Sequence, residues 1–350
     1  MRIQSIDYLR GLMSVSIVLY HFSTNFTTWG MTDSGTTLGR LGIYAVSAFY
    51  IISGMALYLS HKEDGWDLRS YGRFMSRRFM RLAPVYWIGL LFLIIYSGGL
   101  SSSTWKYAQN FLLIFGVINP SGYLLMGGWS IGNEVVFYLA FPIFLLAARN
   151  GTSFKALFLL SFLLFTYCAF FYLSRDSGLD LQWSAYINPI NQVYFFVLGV
   201  CLAKVLLPYV GRYRAVACIG SVLSFLAFIF YPVTGDQIEI IVGWNKFYFT
   251  MVIALLCAMF FLMVDLKNIP FLHAVLSFMG NISYPLYLLH GVSFLYFRRF
   301  FYHKGISDSD LIFRGLVLLS FLIFISWLCH IKIEKPVIKF SKSLLVRNDS

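Results

Sequence analysis

Three ionisable residues interrupt the first apolar run of the chain: Asp7, Arg10 and His21. A guanidinium pairs with phosphate or carboxylate through paired, charge-assisted hydrogen bonds. An imidazole takes a proton from a hydroxyl or carries an acyl group itself. On a helix the step from Arg10 to His21 is three turns plus about 20°, a rise of about 16 Å. Asp7 lies three residues before Arg10, the spacing of helical neighbours. All three residues therefore share one stripe. In a membrane helix such charge is costly and marks function by default. The alternative is that Asp7 and Arg10 are interfacial anchors and His21 is a packed histidine.

Two further stretches hold residues of the same kinds. Trp129-Ser130-Ile131-Gly132-Asn133-Glu134-Val135-Val136-Phe137-Tyr138 opens the fourth apolar run. It places Glu134 about one turn inside, where a carboxylate needs a partner. By topology Glu134 is expected at the depth of His21, so that the carboxylate would orient the imidazole; an unrelated polar contact for each is the other reading. The loop expected from His61 to Arg81 carries six basic residues and ends in Arg77-Arg78-Phe79-Met80-Arg81. Arg78 and Arg81 share a helical face, and Arg77 lies near Arg81. Such a cluster suits phosphate, though flanking charge for anionic lipid has the same composition. The stretch Gly280-Asn281-Ile282-Ser283-Tyr284-Pro285-Leu286-Tyr287-Leu288-Leu289-His290 puts a histidine near mid-membrane, beyond a proline that removes one backbone hydrogen bond.

These residues need helices across a bilayer to position them. Of the 350 residues 59% are hydrophobic and only 12% charged. That is about half the charge of a soluble domain. Ten runs approach or reach the length needed to cross about 30 Å of hydrocarbon: 6–27, 41–60, 82–99, 130–148, 154–174, 190–207, 214–231, 247–264, 280–297 and 311–331. The expected architecture is therefore an all-α polytopic membrane protein, with 1–350 as one membrane-embedded domain. The segment 105–128 is too short in its apolar middle to span, and is expected as a re-entrant or interfacial piece. Ten spans put both termini on one side. Only Arg40, Lys106, Arg175, Lys246, Arg298, Arg299, Lys304 and Arg314 of the 27 basic residues then fall on the opposite face, so the positive-inside rule makes the termini cytoplasmic. The net charge of +12 does not indicate nucleic acid, because the cations lie between apolar runs rather than in a patch. The five cysteines all fall inside apolar runs with no paired spacing, so neither a disulfide framework nor a metal site is expected.

Taken in order, Asp7-x-x-Arg10 with His21, Phe49-Tyr50-x-x-Ser53-Gly54, Arg77–Arg81 before Leu82-Ala83-Pro84-Val85-Tyr86, Trp129-Ser130-x-x-x-Glu134-x-x-Phe137-Tyr138, Gly280-Asn281-x-Ser283-Tyr284-x-x-Tyr287-x-x-His290 and Glu334-x-Pro336 form a set. In it the chain resembles the acyltransferase-3 family of integral-membrane O-acyltransferases over almost its whole length. The resemblance implies ten transmembrane helices and transfer of an acyl group, usually acetyl from acetyl-CoA, to a hydroxyl of an envelope glycan of O-antigen, capsule or exopolysaccharide type, free or lipid-linked. It implies that Arg10 and His21 are the central catalytic pair and that Arg77, Arg78 and Arg81, with Arg10, hold the CoA phosphates. Glu134 is the third expected catalytic residue. Trp129, Ser130, Tyr138, Asn281, Tyr284 and His290 are the expected acceptor-binding residues. A bacterial inner (cytoplasmic) membrane follows from the same resemblance. The family's usual acidic residue in the second span is missing near Ser47. Fewer than twenty residues follow the last run, which is expected of the form without a fused esterase-like domain. A transporter or flippase of glycan or lipid, and the same fold with a succinyl or longer acyl donor, are the rival readings.

Overall fold

The computed structural model describes residues 3–28 and 32–346. Arg2 and Arg347, counted above among the cytoplasmic cations, lie outside the described residues. The chain is built from α1 (Gln4–Phe26), α2 (Thr37–His61), α3 (Leu68–Ser97), α4 (Thr104–Phe111), α5 (Phe115–Ile118), α6 (Gly128–Arg149), α7 (Gly151–Tyr167), α8 (Trp183–Tyr186), α9 (Pro189–Leu206), α10 (Arg214–Phe230), α11 (Gly243–Met263), α12 (Pro270–Phe300), α13 (Asp308–Cys329) and α14 (Lys335–Val346). No strand occurs among the described residues. Each expected run falls mainly on one of these helices, and 154–174 continues past α7 through a π turn at Cys168–Tyr172. Among the described residues seven helices are long and apolar enough to cross a membrane, and α10 is a shorter apolar helix. The protein is an all-α integral membrane protein.

Two helices start ten or more residues earlier than the apolar runs suggested. The stretch Leu68–Arg81 is the first half of α3, not a loop. Asp67 starts it with a capping box: its carboxylate accepts from the Ser70 amide at 2.6 Å, and the Ser70 hydroxyl accepts from the Asp67 amide at 2.8 Å. The hydrogen bonds from Ser70 hold the Asp67 carboxyl below the usual aspartate range. Likewise α12 begins ten residues before Gly280, with Pro270 at its first position. After α13 the chain passes through a π turn, His330–Glu334, into α14.

The helices pack as two compact units, each made of two sequence segments. The first unit comprises Met1–Asp64 and Ala140–Asn281. In it α2 packs extensively on α9, and glycine lets them approach. A Cβ on Gly54 would run into the carbonyl oxygen of Phe196, and one on Gly199 into that of Ile51. Lipid tails are as apolar as leucine, so membrane helices gain little from hydrophobic burial and gain instead from close backbone approach. The same device seats α1 on the start of α12. A Cβ on Gly11 would stand 2.7 Å from the Gly280 nitrogen, and one on Gly280 would meet the Asp7 carbonyl oxygen.

Arg40, only 2% exposed, fastens the beginning of α2 to the end of α10. Its Nε donates to the carbonyl of Ser34 (2.7 Å), one terminal nitrogen to Phe228 (2.8 Å) and Ile229 (2.5 Å), and the other to Tyr231 (2.6 Å) and Val233 (3.3 Å). A guanidinium has five N–H donors, and all five are used on backbone oxygens. Those at the end of α10 are the carbonyls that a helix terminus leaves without partners, at the negative end of its dipole.

The second unit comprises Gly65–Leu139 and Ile282–Ser350. Here the expected non-spanning piece is a pair of short helices, α4 and α5, followed by a 3₁₀ turn at Pro120–Gly122. Asn110, fully buried, holds it together. Its Oδ1 accepts from the Tyr86 hydroxyl (2.6 Å) and the Leu124 amide (3.0 Å), and its Nδ2 donates to the carbonyls of Lys106 (2.8 Å) and Gly122 (2.9 Å). Such irregular backbone is tolerated at depth only when its polar groups are satisfied inside the protein. Gly116 and Gly132 let α5 lie directly on α6.

Replacing Arg40 with methionine keeps the length of the side chain and strands several carbonyls at once. Hydrogen bonds to charged groups are worth about 1.5–3 kcal/mol each, so the substitution is expected to destabilise the protein by at least about 3 kcal/mol. A clear fall in the thermal unfolding midpoint in detergent, with only partial recovery in Arg40→Lys, is the outcome expected.

Candidate active site

The first unit presents the α1 stripe. Arg10 donates to Asp7 Oδ1 at 3.0 Å, and both side chains are about one-fifth exposed. Between them and His21 the same face carries Ser14, whose hydroxyl is spent on the Gly11 carbonyl at 2.8 Å. Serines bonded back to the preceding turn add no stray polar group to a helix. His21 is half-buried, one and a half turns from the end of α1. Its ring meets the Tyr20 ring edge-on at 4.9 Å between centroids. The Tyr20 hydroxyl donates to Gln237 Oε1 (3.0 Å), and Gln237 Nε2 donates to the Gly39 carbonyl (2.9 Å). The Tyr20 ring rests on Gly42, where a Cβ would come within 2.6 Å of it. The residue beside His21 is thus locked to α2 and to the Gln237–Ile240 turn. At the other end of the stripe Gly280 admits the backbone of Asp7. The expected acceptor residue Asn281 follows it and is exposed.

The second unit presents a cation, a ring and a carboxylate in sequence. Arg78 lies over the rings of Phe74 (5.4 Å) and Tyr138 (5.9 Å), and the Tyr138 hydroxyl donates to Glu134 Oε2 at 2.8 Å. The two residues of α6 are one helical turn apart, which is why the hydroxyl reaches the carboxylate. A planar guanidinium stacks well on aromatic faces. Arg81 is half-buried one turn further along α3, whereas Arg77 is exposed. The aromatic rings of Phe74 and Tyr138 orient Arg78 within the cluster.

The remaining expected residues of this unit are engaged in the scaffold. Ser130 Oγ lies 2.9 Å from both the Gly127 carbonyl and the Tyr287 hydroxyl, which is itself 3.0 Å from that carbonyl. Two hydroxyl hydrogens serve three contacts, closing a buried triangle between α6 and α12. Gly127 has φ +76°, and a Cβ there would press on the Tyr287 hydroxyl at 2.8 Å. The Tyr284 hydroxyl donates to the Leu82 carbonyl at 2.6 Å, two residues before Pro84. Trp129 is 6% exposed, and His290 is fully buried, with Nδ1 on the Tyr287 carbonyl and its ring beside Phe294.

Two polar contacts lie outside the expected site. Lys246, 3% exposed, donates to Asn191 Oδ1 at 2.7 Å above the Phe165 ring. His330 Nδ1 lies 2.7 Å from Glu334 Oε2 across the π turn. The second has a sequence signal, since His and Glu four apart face each other on a helix. The first has none, because its partner is 55 residues away and neutral.

Residues 3–331 match the family profile described as an acyltransferase domain, of acyltransferase-3 type. The chain belongs to the acyltransferase-3 family. The matched range contains every expected site residue from Arg10 to His290. Among curated relatives, the peptidoglycan O-acetyltransferase OatA of Listeria monocytogenes is 27% identical over 162 residues, covering 41% of this chain and 24% of that protein. The acyltransferase MdmB of Streptomyces mycarofaciens is 25% identical over 252 residues, covering 65% of this chain and 62% of that protein. The chain thus spans about a quarter of the first relative and about three-fifths of the second.

The Ser130–Tyr287–Gly127 triangle predicts a specific coupling in this acyltransferase-3 protein. Ser130→Ala and Tyr287→Phe are each expected to cost about 1 kcal/mol. Because they share one carbonyl, the double variant is expected to cost less than the sum by at least about 0.5 kcal/mol. Unfolding of the three variants in detergent checks this, and strict additivity would refute the shared triangle.

Proposed function

We propose that this protein is a membrane O-acyltransferase that moves an acetyl group from cytoplasmic acetyl-CoA to a hydroxyl of an envelope glycan, in a bacterial inner membrane. The observation that carries the reading is the α1 stripe. Asp7, Arg10 and His21 share one helical face within the segment that matches the acyltransferase family, and the Arg10–Asp7 pair is formed at 3.0 Å. Ionisable residues gathered on one helical face of a membrane protein mark function by default.

In this reading Arg78 and Arg81, with Arg77 at the surface, take the phosphates of CoA, a task suited to a stacked guanidinium. Arg10 receives a polar group of the pantetheine arm or a phosphate. His21 accepts the proton of the acceptor hydroxyl as its oxygen attacks the thioester carbonyl. The carbon–sulfur bond then breaks, and the proton on the imidazole passes to the departing thiolate, leaving an acetyl ester and free CoA thiol. In the covalent version the imidazole nitrogen attacks first, the thiolate leaves, and the acceptor hydroxyl then displaces the imidazole with loss of its proton. Glu134, held by Tyr138, is assigned the electrostatic support of the imidazolium. Trp129, Ser130, Tyr138, Asn281, Tyr284 and His290 are assigned to the acceptor side. The contacts of Ser130 and Tyr284 support a positioning role for them rather than direct contact. Two coarse facts support the reading: family membership, and the naming of both relatives as acyltransferases.

The test is release of CoA thiol by purified protein in the presence of acceptor glycan. His21→Ala is expected to lower the rate by about 10²- to 10⁴-fold, the range of general acid–base contributions. A folded His21→Ala protein at wild-type rate would sink the mechanism. Arg78→Ala is expected to raise KM for acetyl-CoA by about tenfold with little change in kcat. The same variant should be unimpaired with acetyl-pantetheine, which lacks the nucleotide phosphates. An equal loss with both donors would remove the phosphate role from Arg78.

A further inference from the structure

Side chains at successive positions of a helix diverge by about 100°. Two rings there meet only when something turns them toward each other. Tyr20 and His21 do meet, at 4.9 Å between centroids and 63° between planes, an attractive edge-to-face contact. The tyrosine side of this contact is held at two points. Its ring fills the place where Gly42 lacks a Cβ. Its hydroxyl meets Gln237, and the direction of that bond is fixed. Gln237 Nε2 is spent on the Gly39 carbonyl (2.9 Å), so Oε1 faces Tyr20 and the hydroxyl must donate (3.0 Å). Gly39 and Gly42 lie three residues apart on α2, so both points of support belong to one helical face.

The far end of the link is fixed as well. Gln237 opens the Gln237–Ile240 turn, which Asp236 caps. Asp236 Oδ1 accepts from the Ile238 amide (2.8 Å) and from the Leu179 amide (3.0 Å) of the segment between α7 and α8. Glu239 of the same turn pairs with Arg175 of that segment at 3.2 Å. The Tyr44 hydroxyl donates to the Ile240 carbonyl at 2.6 Å and ties the turn to α2 a second time. All of these residues belong to the first unit.

An imidazole turns broadly about its last torsion unless a neighbour limits the ring plane. We propose that Tyr20 and Gln237 are positioning residues for His21: the tyrosine ring is a fixed wall for the imidazole, and the glutamine holds that wall to α2 and to the Gln237–Ile240 turn. The consequence for catalysis rests on the reading of His21 as the group that takes the proton or the acetyl group. The ordering of the ring rests on the contacts alone. A proton or acyl group passes only between atoms already aligned, and a misplacement of about 1 Å costs up to about 10²-fold in rate. A group that acts at a set position is held by neighbours whose own rotamers are locked, and Tyr20 meets that condition through its hydroxyl and its seat on Gly42.

The test has two readouts on the full-length protein in nanodiscs, with folding of each variant checked by its melting midpoint. The first is NMR of ring-labelled histidine without acyl donor, in which His21→Ala identifies the His21 signal. One sharp ring signal is expected in the wild type, and a broadened or doubled one in Tyr20→Phe and in Gln237→Met. The second is thiol release from acetyl-CoA in the assay above. Each of the two variants is expected to lower kcat about tenfold and to leave KM for acetyl-CoA unchanged. The double variant should be no slower than the slower single one, because both cut the same link. Gln237→Glu, which keeps an oxygen for the hydroxyl, should regain most of the rate. A His21 signal unchanged in the variants, or an unchanged kcat in them while His21→Ala is inactive, would overturn the proposal. Ring order lost in the variants together with a wild-type rate in His21→Ala would fail the catalytic reading of His21 and leave the positioning of its ring in place.

Discussion

In hydrocarbon no water answers a stray amide or carbonyl, so every polar group brought to depth must find its partner within the protein. The structure follows from that constraint more than from hydrophobic burial. Arg40 is its strongest expression: one buried cation whose five donors meet five backbone oxygens around the end of α10. Asn110 does the same with a neutral amide for the short helices α4 and α5, using both donors and both acceptor directions of its side chain. Around these anchors glycines remove side chains where backbones must touch, as between α2 and α9 or between α1 and the start of α12.

The same economy shapes the candidate site. Its residues are not isolated charges set into an apolar wall. Asp7 neutralises Arg10, Tyr138 holds Glu134, and aromatic faces support Arg78. Each ionisable group is kept in a defined rotamer by something that is itself fixed, which is the usual condition for a group to act at a set position. Ser130, Tyr284 and Tyr287 belong to that supporting layer, since their hydroxyls are committed to backbone oxygens.

The sequence made the helical architecture readable because long apolar runs bounded by charge have few other solutions in a bilayer. The stripe of Asp7, Arg10 and His21 was readable because all three sit on one helix, where spacing alone fixes the face. The start of α3 escaped, because a polar, arginine-rich turn resembles a loop, and its capping box uses serine rather than glutamate at the third position. Arg40 looked like one more flanking cation. Its partners are carbonyls, which no residue type announces, and most lie nearly 190 positions away.

The contact between Arg10 and Asp7 bears on any anion that reaches this helix. The guanidinium already has a resident counter-ion, so a newcomer gains only the difference between two ion pairs. Coordination at that point is exchange rather than capture. The pair also leaves this turn of α1 with opposite charges side by side rather than a lone cation.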